Sequence, residues 1–388
     1  MVTGQVQQAE TYQNFIGGRW VPSASGHTYP ITNPAQREHL LGHFPASTPA
    51  DVERAVAAAR EALPAWAHTP APQRGAILFR AWELLRGRAQ EFARTITLEE
   101  GKPLSDAMAE VKRSLGVLEF FAGAGRRLAG ETLPSERPSV LAMTVRKPVG
   151  VVGLITPWNF PLAIPVWKLA PALICGNTAV LKPAPATPFT AVLLARLFQE
   201  AGLPEGVLNV VIGPGAAIGE ALVHHPEVRA ISFTGSTATG THVYAEAARL
   251  LKKVQCEMGG KNAVVVLAGA DLDLAVDGVV QGAFGSSGQR CSATSRAVVE
   301  EAVYAPFMER LLERTRRLRV GPGLEDADVG PLCGEGQLEK VQRYLGLALE
   351  EGAKLEHGGR VLTEPPWDQG YYVEPTVFTG VRPEMRIA

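Results

Sequence analysis

The chain has 388 residues, more than one hydrophobic core usually serves, so two or more domains are expected. Lysine and arginine number 38 against 39 aspartate and glutamate, a net charge of -1, and 46% of residues are hydrophobic. That balance describes an ordinary globular protein and argues against nucleic acid as a partner. No run of about 18 apolar residues is free of charge or proline, so no membrane span is expected. Residues 1–10 are polar and carry no apolar leader. The four cysteines, Cys175, Cys256, Cys291 and Cys333, have neither disulfide nor metal-ligand spacing. A reducing cytoplasm and no metal site follow as expectations.

Along the chain, residues 11–45 read as short strands and turns, with a hairpin at Phe15–Trp20 turning on Gly17-Gly18. Helical spacing runs from 49 to 125, with one helix opening at Asp51 and another over 73–98. Glycine, proline and β-branched residues over 128–147 read as a β arm. From 149 the pattern alternates. Strands are expected at 151–155, 178–182, 207–211 and 230–233, and helices at 162–175, 188–201 and 216–224. Short apolar strands between helices predict a parallel, doubly wound sheet with ligands at its carboxyl edge. After Lys253 a second α/β unit is expected, with strands near 263–267 and 297–300 and helices near 271–283 and 304–318.

Several strand ends carry chemistry. Thr156-Pro157-Trp158-Asn159-Phe160-Pro161 is a rigid loop able to aim the Asn159 amide, although a turn asparagine is the ordinary reading. Lys182 ends a strand before Pro183-Ala184-Pro185, where a surface lysine would be usual and a nucleotide contact is the alternative. Gly213-Pro214-Gly215 with Gly219 does not match the G-x-G-x-x-G spacing and reads equally as a turn. Phe233-Thr234-Gly235-Ser236 lies between a strand and a helix whose free N–H groups suit a phosphate, though Ser236 alone is also an ordinary N-cap. Lys168 on the helix after Asn159 would commonly be a solvated charge. Glu257, between apolar Cys256 and Met258 and followed by Gly259-Gly260, is expected to be partly buried with a raised pKa suited to a base. Cys291, in Gly288-Gln289-Arg290-Cys291-Ser292, can act as a nucleophile. The other three cysteines are read as packing.

Taken in order, Asn159, Lys182, the 233–236 motif, Glu257 in Glu-Met-Gly-Gly-Lys and Cys291 in Gly-Gln-Arg-Cys resemble the aldehyde dehydrogenase superfamily from about Phe15 to the last residue. The resemblance implies an α/β fold of two α/β domains with doubly wound, mostly parallel sheets plus a β oligomerisation arm. A dinucleotide-binding domain would span 1–125 and 148–255, the arm 126–147 and a catalytic domain 256–388.

The implied roles are residue by residue. Cys291 is the nucleophile, Asn159 and the Cys291 N–H form the oxyanion hole, and Glu257 activates the deacylating water. Lys168 acts with this set or on the cofactor. Thr156, Pro157, Trp158, Lys182, Ala184, Pro185, Gly215, Phe233, Thr234, Gly235, Ser236 and Gly259 contact NAD or NADP. Many NAD-preferring relatives have a glutamate where this chain has Pro185, so NADP is expected to be accepted, even preferred. Phe160, Ile164, Trp167, Arg290 and Ser292 would meet the aldehyde, with Arg290 on a substrate carboxylate.

Glu257 favours hydrolysis over acyl transfer to coenzyme A. The stretches 120–136 and 288–296 look like 2-oxoglutarate semialdehyde dehydrogenases; a broad-range or betaine-type enzyme, or an inactive chain, is the alternative. A homodimer or homotetramer is implied. The family pattern continues beyond Ala388 into a segment that holds the nicotinamide ribose, so the chain as written is expected to be poorly active.

Overall fold

The computed structural model describes residues 10–388; residues 1–9, most of the polar N-terminal stretch, lie outside the described residues. The chain forms two compact units. One takes the chain up to Pro30, Gly42–Phe92 and Ala109–Glu257; the other takes Ile31–Leu41, Ala93–Met108 and Met258–Ala388.

The first unit is built on a seven-stranded sheet. Its order is Lys253–Met258, Val228–Gly235, Val151–Ile155, Thr178–Lys182, Leu208–Val210, Asn14–Ile16 and Arg19–Val21. The strands Val228–Gly235, Val151–Ile155, Thr178–Lys182 and Leu208–Val210 are mutually parallel. The N-terminal hairpin closes one edge antiparallel, its turn made by Gly17 and Gly18 at φ 58° and 77°. Val151–Ile155 and Thr178–Lys182 are buried at every position, as strands covered on both faces must be. Val52, Ala55, Val56 and Ala59 of the helix Pro49–His68 join Val151, Val180 and Ile231 in one core. That helix starts in a capping box between Thr48 and Asp51.

The elements expected from periodicity form within a few residues of their predicted ends, with two differences. The helix expected over 73–98 is two, Ala71–Gly87 and Ala89–Glu100, broken where Arg88 takes φ −111°. The strand Lys253–Met258 is an edge of the first sheet and does not open the second unit. The arm appears as a two-residue antiparallel pair, Thr132–Leu133 with Ala142–Met143, leaving Leu133, Leu141, Met143 and Val145 exposed.

The second unit has a parallel pair, Asn262–Val266 with Thr294–Val299, packed by the helices Leu272–Phe284 and Glu301–Arg316 through Val266, Val276, Phe307 and Leu311. The helix Glu335–Glu350 and two short antiparallel pairs follow. Segments 31–41 and 93–108, which the sequence reading placed in the first domain, belong to this unit. Their backbone pairs with distant chain: Tyr371 N–H donates to Pro34 O at 3.1 Å and Leu104 N–H to Gly323 O at 2.8 Å. Sequence neighbourhood gives no hint of such pairings.

Candidate active site

In the first sheet, the chain leaves Val151–Ile155 toward Thr178–Lys182 and Leu208–Val210, then returns to Val228–Gly235 on the opposite side. The connections therefore diverge beyond the carboxyl ends of Val151–Ile155 and Val228–Gly235, the switch point at which doubly wound sheets bind ligands. Thr156–Phe160 leaves one of these strand ends and Gly235-Ser236 the other. Lys182 ends the neighbouring strand.

Lys182 is 5% exposed and its Nζ donates to Pro183 O at 3.1 Å. Among the described residues no carboxylate pairs with it, and burial pushes its pKa down to about 8. The Thr156 hydroxyl is buried and has no hydrogen-bond partner among the described residues. A buried ammonium and an unmatched hydroxyl at a switch point fit the anionic, hydroxyl-rich backbone of a dinucleotide.

Other expected cofactor positions divide. Ser236 caps the helix Thr237–Arg249, its Oγ accepting from Thr239 N–H. Gly235 lies against the ring of buried Phe233, which a Cβ would strike. Thr234 is half-buried beside it. A Cβ on Gly215 or Gly259 would meet nothing, whereas one on Gly213 would lie 2.7 Å from Ser47 N; Gly213 serves packing. Ala184 is buried, and Pro185 O accepts from the Tyr29 hydroxyl at 3.0 Å. The Trp158 carbonyl accepts from Thr187 Oγ1 at 3.4 Å, which ties the Thr156-Pro157-Trp158-Asn159 loop to the next strand's exit.

Asn159 and Phe160 are half-buried. Behind their loop, the buried Glu110 carboxylate accepts from the N–H groups of Leu162 and Ala163 at 2.9 and 3.0 Å. It thus satisfies two donors at the start of the helix Ala163–Ile174. The sequence reading missed Glu110 because it lies on a helix far up the chain. Of the residues expected to line a pocket, Trp167 is 41% exposed, but Ile164 is 2% exposed and belongs to the core. The adjacent Lys168 is buried rather than solvated; desolvation lowers its pKa to about 8, against a raising pull from Glu257 and Cys256. Its Nζ donates to Ser232 Oγ at 2.7 Å.

Glu257 is exposed, not partly buried. The reason is strand alternation: Val254 and Cys256 turn to the core, so Gln255 and Glu257 take the other face. Apolar neighbours in sequence do not bury a strand residue between them. Gln255 Nε2 donates to Glu257 Oε1 at 2.7 Å.

In the second unit, Cys291 and Ser292 are exposed. Three successive residues shortly before Cys291 are left-handed: Ser286 at φ 52°, Ser287 at 55° and Gly288 at 69°. The two serines pay a steric cost there that glycine does not. The turn is held at several points. Ser286 N–H donates to Asp106 Oδ2 at 2.8 Å and Ser287 Oγ to Gly330 O at 3.0 Å. Gln289 Oε1 accepts from Cys333 N–H at 3.0 Å. Asn262 Nδ2 reaches the carbonyls of Cys291 and Ala293 at 2.8 and 3.2 Å. Asn262 directly follows Lys261, so the motif's next residue was the available signal.

Arg290, expected on a substrate carboxylate, is bound to backbone carbonyls of its own unit. Its Nε donates to Gly285 O at 2.9 Å and its Nη2 to Gln281 O at 2.8 Å. It caps the carbonyl end of Leu272–Phe284, where a cation is favoured. Of the other cysteines, Cys256 and Cys333 are partly buried, but Cys175, expected to be packed, is exposed at a helix end beside Arg74 and Arg146. Among the described residues no cluster could hold a metal ion and no helix is long and apolar enough to cross a membrane.

The first unit is thus an α/β sheet with groups suited to a nucleotide at its switch point, and the second presents an exposed thiol on an anchored turn. Residues 20–388 match the model of the aldehyde dehydrogenase family, and the chain belongs to that family. It is 46% identical over 97% of its length to a 2,5-dioxopentanoate dehydrogenase of Saccharolobus solfataricus, covering 78% of that protein. It is 44% identical over 99% of its length to an alpha-ketoglutaric semialdehyde dehydrogenase of Bacillus subtilis, covering 79%. A malonate-semialdehyde dehydrogenase of Halalkalibacterium halodurans is 43% identical over 97% of this chain and 77% of its own. Two solved structures superpose closely. An NADP dependent enzyme from E. coli gives a TM-score of 0.93 at 38% identity, over 97% of this chain and 78% of that one. An NAD-dependent aldehyde dehydrogenase from Sinorhizobium meliloti gives 0.94 at 38% identity, over 97% and 75%. The protein is an oxidoreductase acting on aldehydes with a nicotinamide cofactor.

Proposed function

We propose that the chain oxidises 2-oxoglutarate semialdehyde to the dicarboxylic acid with NADP or NAD. The observation that carries this reading is the 44–46% identity, over nearly the whole chain, to relatives named for that substrate. Cys291, exposed on its anchored turn, adds as thiolate to the aldehyde carbon and gives a thiohemiacetal. The Asn159 amide and the Cys291 N–H donate to the oxygen as it gains charge, each donor worth about 3–4 kcal/mol. When bound, the nicotinamide supplies the hydride acceptor that turns the thiohemiacetal into a thioester. Glu257 takes a proton from water, the hydroxide adds to the thioester carbon, the C–S bond breaks, and the thiolate is regenerated as the acid leaves. Lys182, Thr156, Gly235 and Ser236 hold the dinucleotide.

Malonate semialdehyde is the second reading, from the 43% identity to an enzyme named for it. Values of kcat/KM for 2-oxoglutarate semialdehyde, malonate semialdehyde and betaine aldehyde test both. The first is expected to exceed the others by tenfold or more, roughly 1.4 kcal/mol of transition-state preference. A higher value for betaine aldehyde or malonate semialdehyde would overturn the proposal.

A further inference from the structure

Four side chains of the first unit form one directed chain of hydrogen bonds. Lys168 Nζ donates to Ser232 Oγ at 2.7 Å, Ser232 Oγ to Gln255 Oε1 at 2.6 Å, and Gln255 Nε2 to Glu257 Oε1 at 2.7 Å. Ammonium is donor-only and carboxylate acceptor-only, so the Gln255 amide has a single orientation that satisfies both ends. Ser232 lies on Val228–Gly235 and Gln255 on the neighbouring edge strand, so the path crosses the sheet. Gln255 and Glu257 share a strand face because they are two residues apart.

We propose that Ser232 and Gln255 are positioning residues that tether the Glu257 carboxylate to the buried Lys168 ammonium and so fix the base that activates water. The inference rests on the reading of Glu257 as that base. An exposed glutamate at a sheet edge has several rotamers open to it. The tether selects one, and a fixed base costs less to orient at the moment of reaction. The tether is also charge-anchored. The charged groups that face Lys168 are Glu257 on the edge strand and, when ionised, Cys256 beside it; both favour the protonated lysine against desolvation, which brings its pKa down to about 8. The anchor is therefore present below about pH 8 and fades above it.

Pre-steady-state kinetics of the full chain with a semialdehyde test this. Gln255→Met keeps the side chain's length and removes both hydrogen bonds; Ser232→Ala removes the link before it. Each is expected to keep the burst of cofactor reduction and to slow the later steady rate about tenfold. The double variant should be no slower than either single one, because one chain is cut once or twice to the same effect. Ser232→Thr, which keeps the hydroxyl, should restore the rate. In the unaltered protein the steady rate should fall as pH rises through about 8, a dependence that Gln255→Met should lose. Unchanged rates, additive losses in the double variant, or a retained pH dependence would overturn the tether. Glu257→Gln separates the two layers. A normal burst with a slow steady rate upholds Glu257 as base whatever the tether variants do, whereas an unaltered steady rate removes that reading and the tether with it.

Discussion

The two units hold their reactive groups by different means. In the first, Lys182 sits where a parallel strand ends and Lys168 on the helix Ala163–Ile174, and burial sets their character: both are pushed down to about 8 by desolvation. In the second, the thiol of Cys291, proposed as the nucleophile, is exposed, and its backbone supplies the order. Three left-handed residues lead to Cys291; hydrogen bonds accepted by Asp106, Gly330, Gln281 and Gly285 and one donated by Asn262 hold them and the residues that follow. A side chain at a strand end is placed by the sheet's core. A thiol on a strained turn is placed by whatever holds the turn.

The comparison breaks most completely at Cys291. Cys291→Ala should abolish aldehyde oxidation, while Cys175→Ala, Cys256→Ala and Cys333→Ala each retain it. Desolvation raises the thiols of the partly buried Cys256 and Cys333, and that of Cys175 as well although this residue is exposed at its helix end, which keeps the reactive thiolate scarce on all three at neutral pH. Brief alkylation at pH 7 should therefore mark Cys291 first, read by peptide mass spectrometry. Turnover surviving in Cys291→Ala would end the nucleophile assignment.

A smaller effect sharpens the contrast between burial and backbone. Asp106→Ala removes the acceptor of Ser286 N–H and leaves a donor in a buried residue unmatched, at a cost of about 1–3 kcal/mol of stability. Activity should fall by about ten- to a hundredfold as the thiol loses its fixed position. Ser286→Val should do the same, since a β-branched residue resists φ 52°, while Ser286→Gly, which accepts that φ, should keep most of the turnover. Equal activity in the Val and Gly variants would mean that the turn's conformation does not position Cys291.

The same contrast explains how far the sequence could be read. The strand-end motifs at 156–161, 182 and 233–236 were legible because alternating apolar strands and helices locate a carboxyl edge without any knowledge of packing. Helix and strand limits followed from periodicity; the helix expected over 162–175 is Ala163–Ile174. What failed involved partners distant in sequence or the face of a strand. Asp106 meets Ser286 across 180 residues, and Glu110 meets Leu162 across 52. Glu257 was expected to be buried from its neighbours' apolarity, although alternation sends it the other way. The contacts of Arg290 with the carbonyls of the preceding helix were likewise not legible from its place beside Cys291.

The least disruptive test concerns the charge on Lys182. NADP carries a 2′-phosphate, Pro185 offers it no repelling carboxylate, and the Lys182 ammonium is buried at the neighbouring strand end. Only protonated lysine attracts the phosphate. With a pKa of about 8, Lys182 is charged at pH 7 and largely neutral at pH 9.5. The Kd of NADP should therefore weaken about tenfold between those values by proton linkage, and the Kd of NAD should weaken less. The buried lysines do not favour unfolding in this window. Lys168, Lys182 and Lys252 all titrate near 8 when folded, below the ordinary value of 10.5. Between those limits the unfolded chain holds more protons, so these lysines make the folded state more stable as pH rises. Lys182→Arg keeps a permanent charge and should flatten the NADP profile. Isothermal titration at pH 7 and 9.5 reads all of this. An unaltered slope in Lys182→Arg would place the titrating group elsewhere, and a flat profile in the unaltered protein would remove Lys182 from 2′-phosphate recognition.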